Sequence, residues 1–138
     1  MRRKRINKTI FVLLTVILAF SLLSCGNKTA NTDNPTKTVT VQLSVTYPQE
    51  SGKANLESYS MNVQQGATVL QVLEAYCGQN GIDVSVDAKD SYVTGINQVQ
   101  ASSNTGWVYE INGEGIMKGA DKQTVKNGDS IVWRVVSL

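Results

Sequence analysis

The sequence predicts an α+β domain: a mixed sheet with one main helix packed across it. Three observations lead there. Val39, Val41, Leu43, Val45 and Tyr47 alternate strictly with Thr38, Thr40, Gln42, Ser44 and Thr46, the period of a half-buried strand. From Thr68 to Gly78 the apolar residues change to helical spacing. The last third then returns to period two in a pair of strands that carry both tryptophans, Trp107 and Trp133.

The chain begins with a different kind of segment. Arg2, Arg3, Lys4, Arg5 and Lys8 precede an apolar run from Ile10 to Leu23 that only Thr15 and Ser21 interrupt, which is the layout of a secretory signal. The run is shorter than the ~20 residues a membrane-spanning helix needs. It ends in Leu22-Leu23-Ser24-Cys25, which resembles a bacterial lipobox. That resemblance implies cleavage after residue 24, a lipid on Cys25, and an extracytoplasmic protein held at the cell membrane by its anchor. Residues 25–37 (CGNKTANTDNPTK) hold no bulky apolar side chain and are expected to be a flexible tether, leaving 38–138 as the folded domain.

Processing would also change the charge. Of 13 basic residues five leave with the signal, so eight remain against 11 acidic ones and the net charge turns from +2 to −3. No basic cluster survives, which argues against a nucleic-acid partner. With Cys25 carrying lipid, Cys77 has no cysteine to pair with, and packing alone must hold the core.

Along the domain, Pro48 ends the first strand, and Tyr59, Met61 and Val63 resume the alternation in a second, antiparallel one. Thr68 and Gln71 form a Thr-x-x-Gln capping box. Val69, Leu70, Val72, Leu73, Tyr76 and Cys77 make one apolar helix face, and Gly78 is expected to stop the helix. Cys77 on that face reads as a small buried hydrophobe. Ile82, Val84 and Val86 alternate, and Tyr92 to Val99 reads as one further strand in which Gly95 marks a bulge or the close approach of another group. Trp107, Tyr109 and Ile111 share a strand face before the Asn112-Gly113 turn; after Asn127-Gly128, Ile131, Trp133 and Val135 share another.

The residue inventory shapes the chemistry. There is no histidine, which removes the commonest general base and the Ser-His and Cys-His nucleophile pairs. The spacing of Asp83, Asp87 and Asp90 does not match an EF-hand loop, and no glycine pattern matches a phosphate-binding loop. Glu110 and Glu114 flank a turn and read as exposed. The expectation is therefore no enzyme, no catalytic residue and no metal. Binding needs only aromatic faces, amides and backbone groups, and the candidates for it are Trp107, Tyr109, Asn112 and Met117. For Trp107 and Tyr109 the competing role is core packing, and for Asn112 it is turn formation.

Gly106-Trp-Val-Tyr-Glu-Ile-Asn-Gly113, then Gly119-Ala120-Asp121, then Asn127-Gly128-Asp129 with Ile131 and Trp133, resemble the transcobalamin-like C-terminal domain. That resemblance implies a β-grasp fold, a fold the order of elements also suits, and a domain that binds a soluble ligand. Cobalamin or another corrinoid is the ligand it points to, met by the stretch from Trp107 to Asn112 and by Met117. In the carriers of that family a helical domain closes the other side of the ligand. This chain has none, so a partner, a helical surface protein or a transporter component, would have to complete the pocket. The alternative is a protein-interaction or scaffolding module that uses a sheet edge or the aromatic hairpin without any small molecule.

Overall fold

The computed structural model describes residues 37–138. The signal segment 1–24, the lipidation candidate Cys25, and the tether apart from Lys37 lie outside the described residues.

Strand β1 (Thr38–Thr46) buries Val41, Leu43 and Val45 and turns its threonines outward, as the alternation requires. It pairs antiparallel with β2 (Leu56–Gln64), with a register shift between Leu43 and Val45 and a positive φ at Ser58 marking a bulge. Helix α1 (Val69–Asn80) follows, then β3 (Val84–Val86), β4 (Val93–Ile96), β5 (Val99–Gln100), β6 (Thr105–Ile111), β7 (Glu114–Gly115) and β8 (Ser130–Ser137). The main sheet has the order β2-β1-β8-β6-β7. It is mixed because β1 and β8 run parallel while its other pairs are antiparallel. A second, three-stranded sheet has the order β3-β4-β5.

The α+β expectation thus holds. Val69, Leu70, Val72, Leu73 and Cys77 of α1 share one core with the inner faces of β1, β6 and β8. Tyr76 covers the margin of that core and meets Tyr59 of β2 at 4.9 Å between ring centroids. No helix of the described residues is long and apolar enough to cross a membrane.

Each early donor of α1 has a partner. Gln71 N–H donates to Thr68 Oγ1 (3.3 Å), and Thr68 N–H donates back to Gln71 Oε1 (2.9 Å), completing the capping box. Val69 N–H and Leu70 N–H donate to the carbonyls of Gln123 and Ala120. Those two bonds dock the long β7–β8 connection onto the helix N-terminus.

Two boundaries differ from the sequence reading. The helix does not stop at Gly78 but at Gly81, whose left-handed φ of 63° lets its N–H reach Cys77 C=O. Running on to that point places Ile82 against the core, and a helical Gly78 costs only about 1 kcal/mol. The stretch from Tyr92 to Val99 is a hairpin rather than one strand: Asn97 (φ 52°) and Gln98 (φ 66°) turn β4 back into β5. Two consecutive positive φ values are what a two-residue hairpin turn needs, although the pair is not the usual Asn-Gly. Gly95 explains itself within this hairpin, because the Gln100 side chain lies where a Cβ would stand.

Candidate functional site

The register of β6 determines what its outer edge presents. Asn112 N–H donates to Ser130 C=O (2.8 Å) and Leu138 N–H to Asn104 C=O (2.9 Å). The even-numbered residues between them therefore direct their backbone groups at β8, and Trp107 and Tyr109 direct theirs away from it. On that side β7 covers only Glu110 and Ile111, and Ile116 N–H then reaches Tyr109 C=O at 3.4 Å. With Trp107 N–H directed at the Tyr92 hydroxyl, Trp107 C=O and Tyr109 N–H are left without a partner among the described residues.

A cleft of about 300 Å³ lies along this open edge. Its walls come from three separate parts of the chain: residues 90–93, the strand residues Trp107 to Tyr109 with Trp133 behind them, and residues 116–120 of the connection. The connection is held there at two points, by its bonds to the start of α1 and by Tyr109 Oη, which donates to Lys118 C=O at 2.5 Å. Opposite, the Tyr92 hydroxyl lies where a Cβ on Gly106 would stand, so glycine at 106 is what lets the phenol reach the edge of β6.

The aromatic residues at the back of the cleft are core residues. Trp107 is 1% exposed, donates its indole N–H to Val99 C=O (2.9 Å) and meets Tyr47 edge-on at 5.9 Å. Tyr109 is 5% exposed, and its ring lies 5.2 Å from that of Trp133. Burial raises the pKa of the Tyr109 phenol, and nearby Asp121 adds to the rise. Burial also raises that of Tyr92, with Trp107 N–H opposing and Asp90 reinforcing the shift. Two buried polar atoms on this side, Trp133 Nε1 and Asp121 Oδ1, have no hydrogen-bond partner among the described residues.

Of the four binding candidates read from the sequence, Trp107, Tyr109 and Met117 all line this cleft, Met117 as a fully exposed side chain at its rim. Asn112 is not among the lining residues. It occupies the β6–β7 turn with a φ of 54°, donates from Nδ2 to Asp129 Oδ1 (3.0 Å), and accepts from Ser130 N–H at Oδ1 (2.9 Å). Its amide joins the turn to the start of β8. The sequence reading missed Tyr92, Ile116, Lys118 and Trp133 as cleft residues. Tyr92 carried a signal, as the aromatic that opens the strand expected from Tyr92 to Val99; Ile116 and Lys118, on either side of Met117, carried none.

Glu110 and Glu114 do not act together. Glu110 accepts from Arg134 Nε across the strand pair (2.9 Å), an exposed ion pair worth at most about 1 kcal/mol. Asp87 and Asp90 cap their own loop, accepting from the N–H groups of Lys89 and Tyr92. Among the described residues no group of three or more His, Cys, Asp or Glu side chains is close enough together to hold a metal ion.

Solved structures with a similar fold include haptocorrin in complex with Cbi, at a TM-score of 0.61 and 23% identity over 75% of this chain. This chain spans 26% of the haptocorrin chain. A second is a candidate metal binding protein from Ruminococcus gnavus ATCC 29149, at a TM-score of 0.51 and 16% identity, with 72% of this chain and 98% of that one covered. At these identities the likeness is one of fold. Among curated proteins none matches this sequence. The profile of a domain of unknown function, DUF4430, matches residues 66–137, from the turn before α1 through β8. That span is more than half of the 138-residue chain and includes every wall of the cleft, so the chain belongs to the DUF4430 family.

Proposed function

We propose that this protein is a non-enzymatic, membrane-anchored lipoprotein whose domain over residues 38–138, a β-grasp variant, binds a soluble ligand in the cleft beside β6, with a corrinoid as the ligand class. The observation that carries the reading is the cleft itself: largely apolar walls around unpaired backbone groups. Trp107 C=O and Tyr109 N–H face it as an acceptor and a donor two residues apart, while Ile116 and Met117 supply apolar surface. A corrinoid carries carboxamide groups around a broad apolar ring and so offers both kinds of contact.

The similar fold in haptocorrin, a protein crystallised with the cobinamide Cbi, supports the ligand class. The size of the site supports a partner. About 300 Å³ is at the low end for a small-molecule pocket and holds only one edge of a corrinoid, so affinity should be low until a second surface encloses the rest. Anchoring through Cys25, at an extracytoplasmic membrane face, rests on the signal segment and the Leu-Leu-Ser-Cys sequence.

Titrating the full chain with cobinamide and cobalamin, followed by corrinoid absorbance, tests the ligand. We expect a saturable change in the high-micromolar range, weakened by Met117→Ala and Tyr92→Ala without loss of fold. No saturable change for either corrinoid up to about 1 mM overturns the corrinoid assignment and favours an interaction module. For the anchor, Cys25→Ala should abolish lipid labelling and leave the precursor uncleaved; a variant processed to normal size refutes it.

A further inference from the structure

We infer that β2, at the opposite edge of the main sheet from the cleft, is a self-pairing surface on which a second copy of this chain adds its own β2 in antiparallel register about Asn62. The register with β1 exposes the groups required. Gln65 N–H donates to Lys37 C=O (2.7 Å), so Tyr59, Met61 and Val63 turn their backbone groups to β1, and Ser60, Asn62 and Gln64 turn theirs outward. No loop, turn or side chain of the described residues bonds the backbone groups of Ser60 or Asn62 or the N–H of Gln64; Gln64 C=O takes Ala67 N–H (3.0 Å).

Sheet edges of this kind are ordinarily blunted by lysine, proline, a bulge or a covering element. Here the bulge at Ser58 and the charge of Glu57 guard only the beginning of β2. From Tyr59 to Gln64 there is no charge and no proline.

Three features select a copy of the same chain as occupant. The outward run Ser60, Asn62, Gln64 is symmetric about Asn62, so a two-fold axis there pairs every member. Asn62 exchanges both backbone bonds with Asn62 of the second copy, and Gln64 N–H meets Ser60 C=O in each direction. That register also sets Met61 opposite Val63 of the second copy on the helix-side face, where both are apolar. The seam then runs beside the groove between β2 and α1, about 550 Å³, whose far wall is the stripe Gln71, Ala75 and Gln79. Finally, a two-fold axis places each nearby residue against its own counterpart, so any charge would face a like charge. None of the residues lining this groove is charged. The strand order puts this edge at the far end of the sheet from β6 and β7, so pairing leaves both clefts open.

Cysteine trapping and mass determination on the full chain test the inference. In mild oxidant Asn62→Cys should form a disulfide-linked dimer beyond the background given by the parent, and should fail to form it when the oxidation is carried out in urea. Gln64→Cys alone should not, because its neighbour across the axis is Ser60, whereas Ser60→Cys combined with Gln64→Cys should. The parent should sediment at twice the monomer mass, and Asn62→Lys, still folded by circular dichroism, at the monomer mass. A monomeric parent at about 0.1 mM, or equal trapping at positions 62 and 64, overturns the inference; the first result leaves the edge to a partner of different sequence.

Discussion

Replacing Asn112 by glycine tests whether this residue is a structural joint or a dispensable turn former. At the sequence level Asn112→Gly looks harmless, since Asn112-Gly113 is a two-residue hairpin turn and glycine adopts positive φ more readily than asparagine. That relief amounts to about 1 kcal/mol. Against it stand both ends of the amide. Nδ2 donates to a carboxylate oxygen of Asp129, a residue only 9% exposed, and Oδ1 accepts from the N–H of Ser130. The bond to the carboxylate is worth about 1.5–3 kcal/mol and the neutral one about 0.5–1.5 kcal/mol. Water can reach this exposed turn and recover part of the loss, which leaves a net destabilisation of about 1–3 kcal/mol. Asp129 keeps its bond from Lys126 N–H (2.8 Å), so the next turn should persist and unfolding should remain cooperative. Urea denaturation followed by tryptophan fluorescence measures the difference, because Trp107 and Trp133 both lie in the core. The melting temperature should fall by roughly 4–8 °C per kcal/mol. Stability within a few tenths of a kcal/mol of the parent would refute the joint, and a selective loss of ligand affinity would restore Asn112 to the binding site.

Other perturbations read the core and the helix. Leu73 is fully buried, so Leu73→Ala should cost about 2–5 kcal/mol in denaturant unfolding, whereas Gln71→Ala, which removes one arm of the capping box, should cost about 1 kcal/mol or less; equal small losses would show that α1 does not pack as described. Burial pushes the Cys77 thiol from 9.0 up to about 11. The folded pKa is the higher one, so this stabilisation is complete below pH 9 and is lost as pH rises towards 11, by roughly 2–3 kcal/mol in all. Several tyrosines also titrate at high pH, so the measurement is the difference in alkaline stability loss between the parent and Cys77→Ala. An identical slope in the two proteins would refute the buried-thiol account.

What the sequence determined by itself is local. The alternation from Val39 to Tyr47 and the Thr68–Gln71 box depend on contacts between near neighbours, so their periods and side-chain types were enough to locate β1, the start of α1 and its buried face. The same holds for the shared face of Trp107 and Tyr109, because residues two apart in a strand share a face whatever the strand pairs with, although that this face points into the core was decided by the structure. Tertiary structure decided the rest wherever two local solutions competed or distant segments met. Gly78 and Gly81 could both end the helix, and the placement of Ile82 in the core accompanies the later stop. Asn97-Gln98 carries no strong turn signal, yet the chain reverses there, with Asn97 N–H bonded to Asp83 C=O and β4 supplying Val93 and Ile96 to the core. The cleft is the plainest case. Its walls are far apart in sequence and meet only because the connection between β7 and β8 docks on the first donors of α1 while β7 stops short of Trp107. Asn112 was drawn away from that cleft for the same reason: the partner its amide needed, Asp129, comes from the distant start of β8.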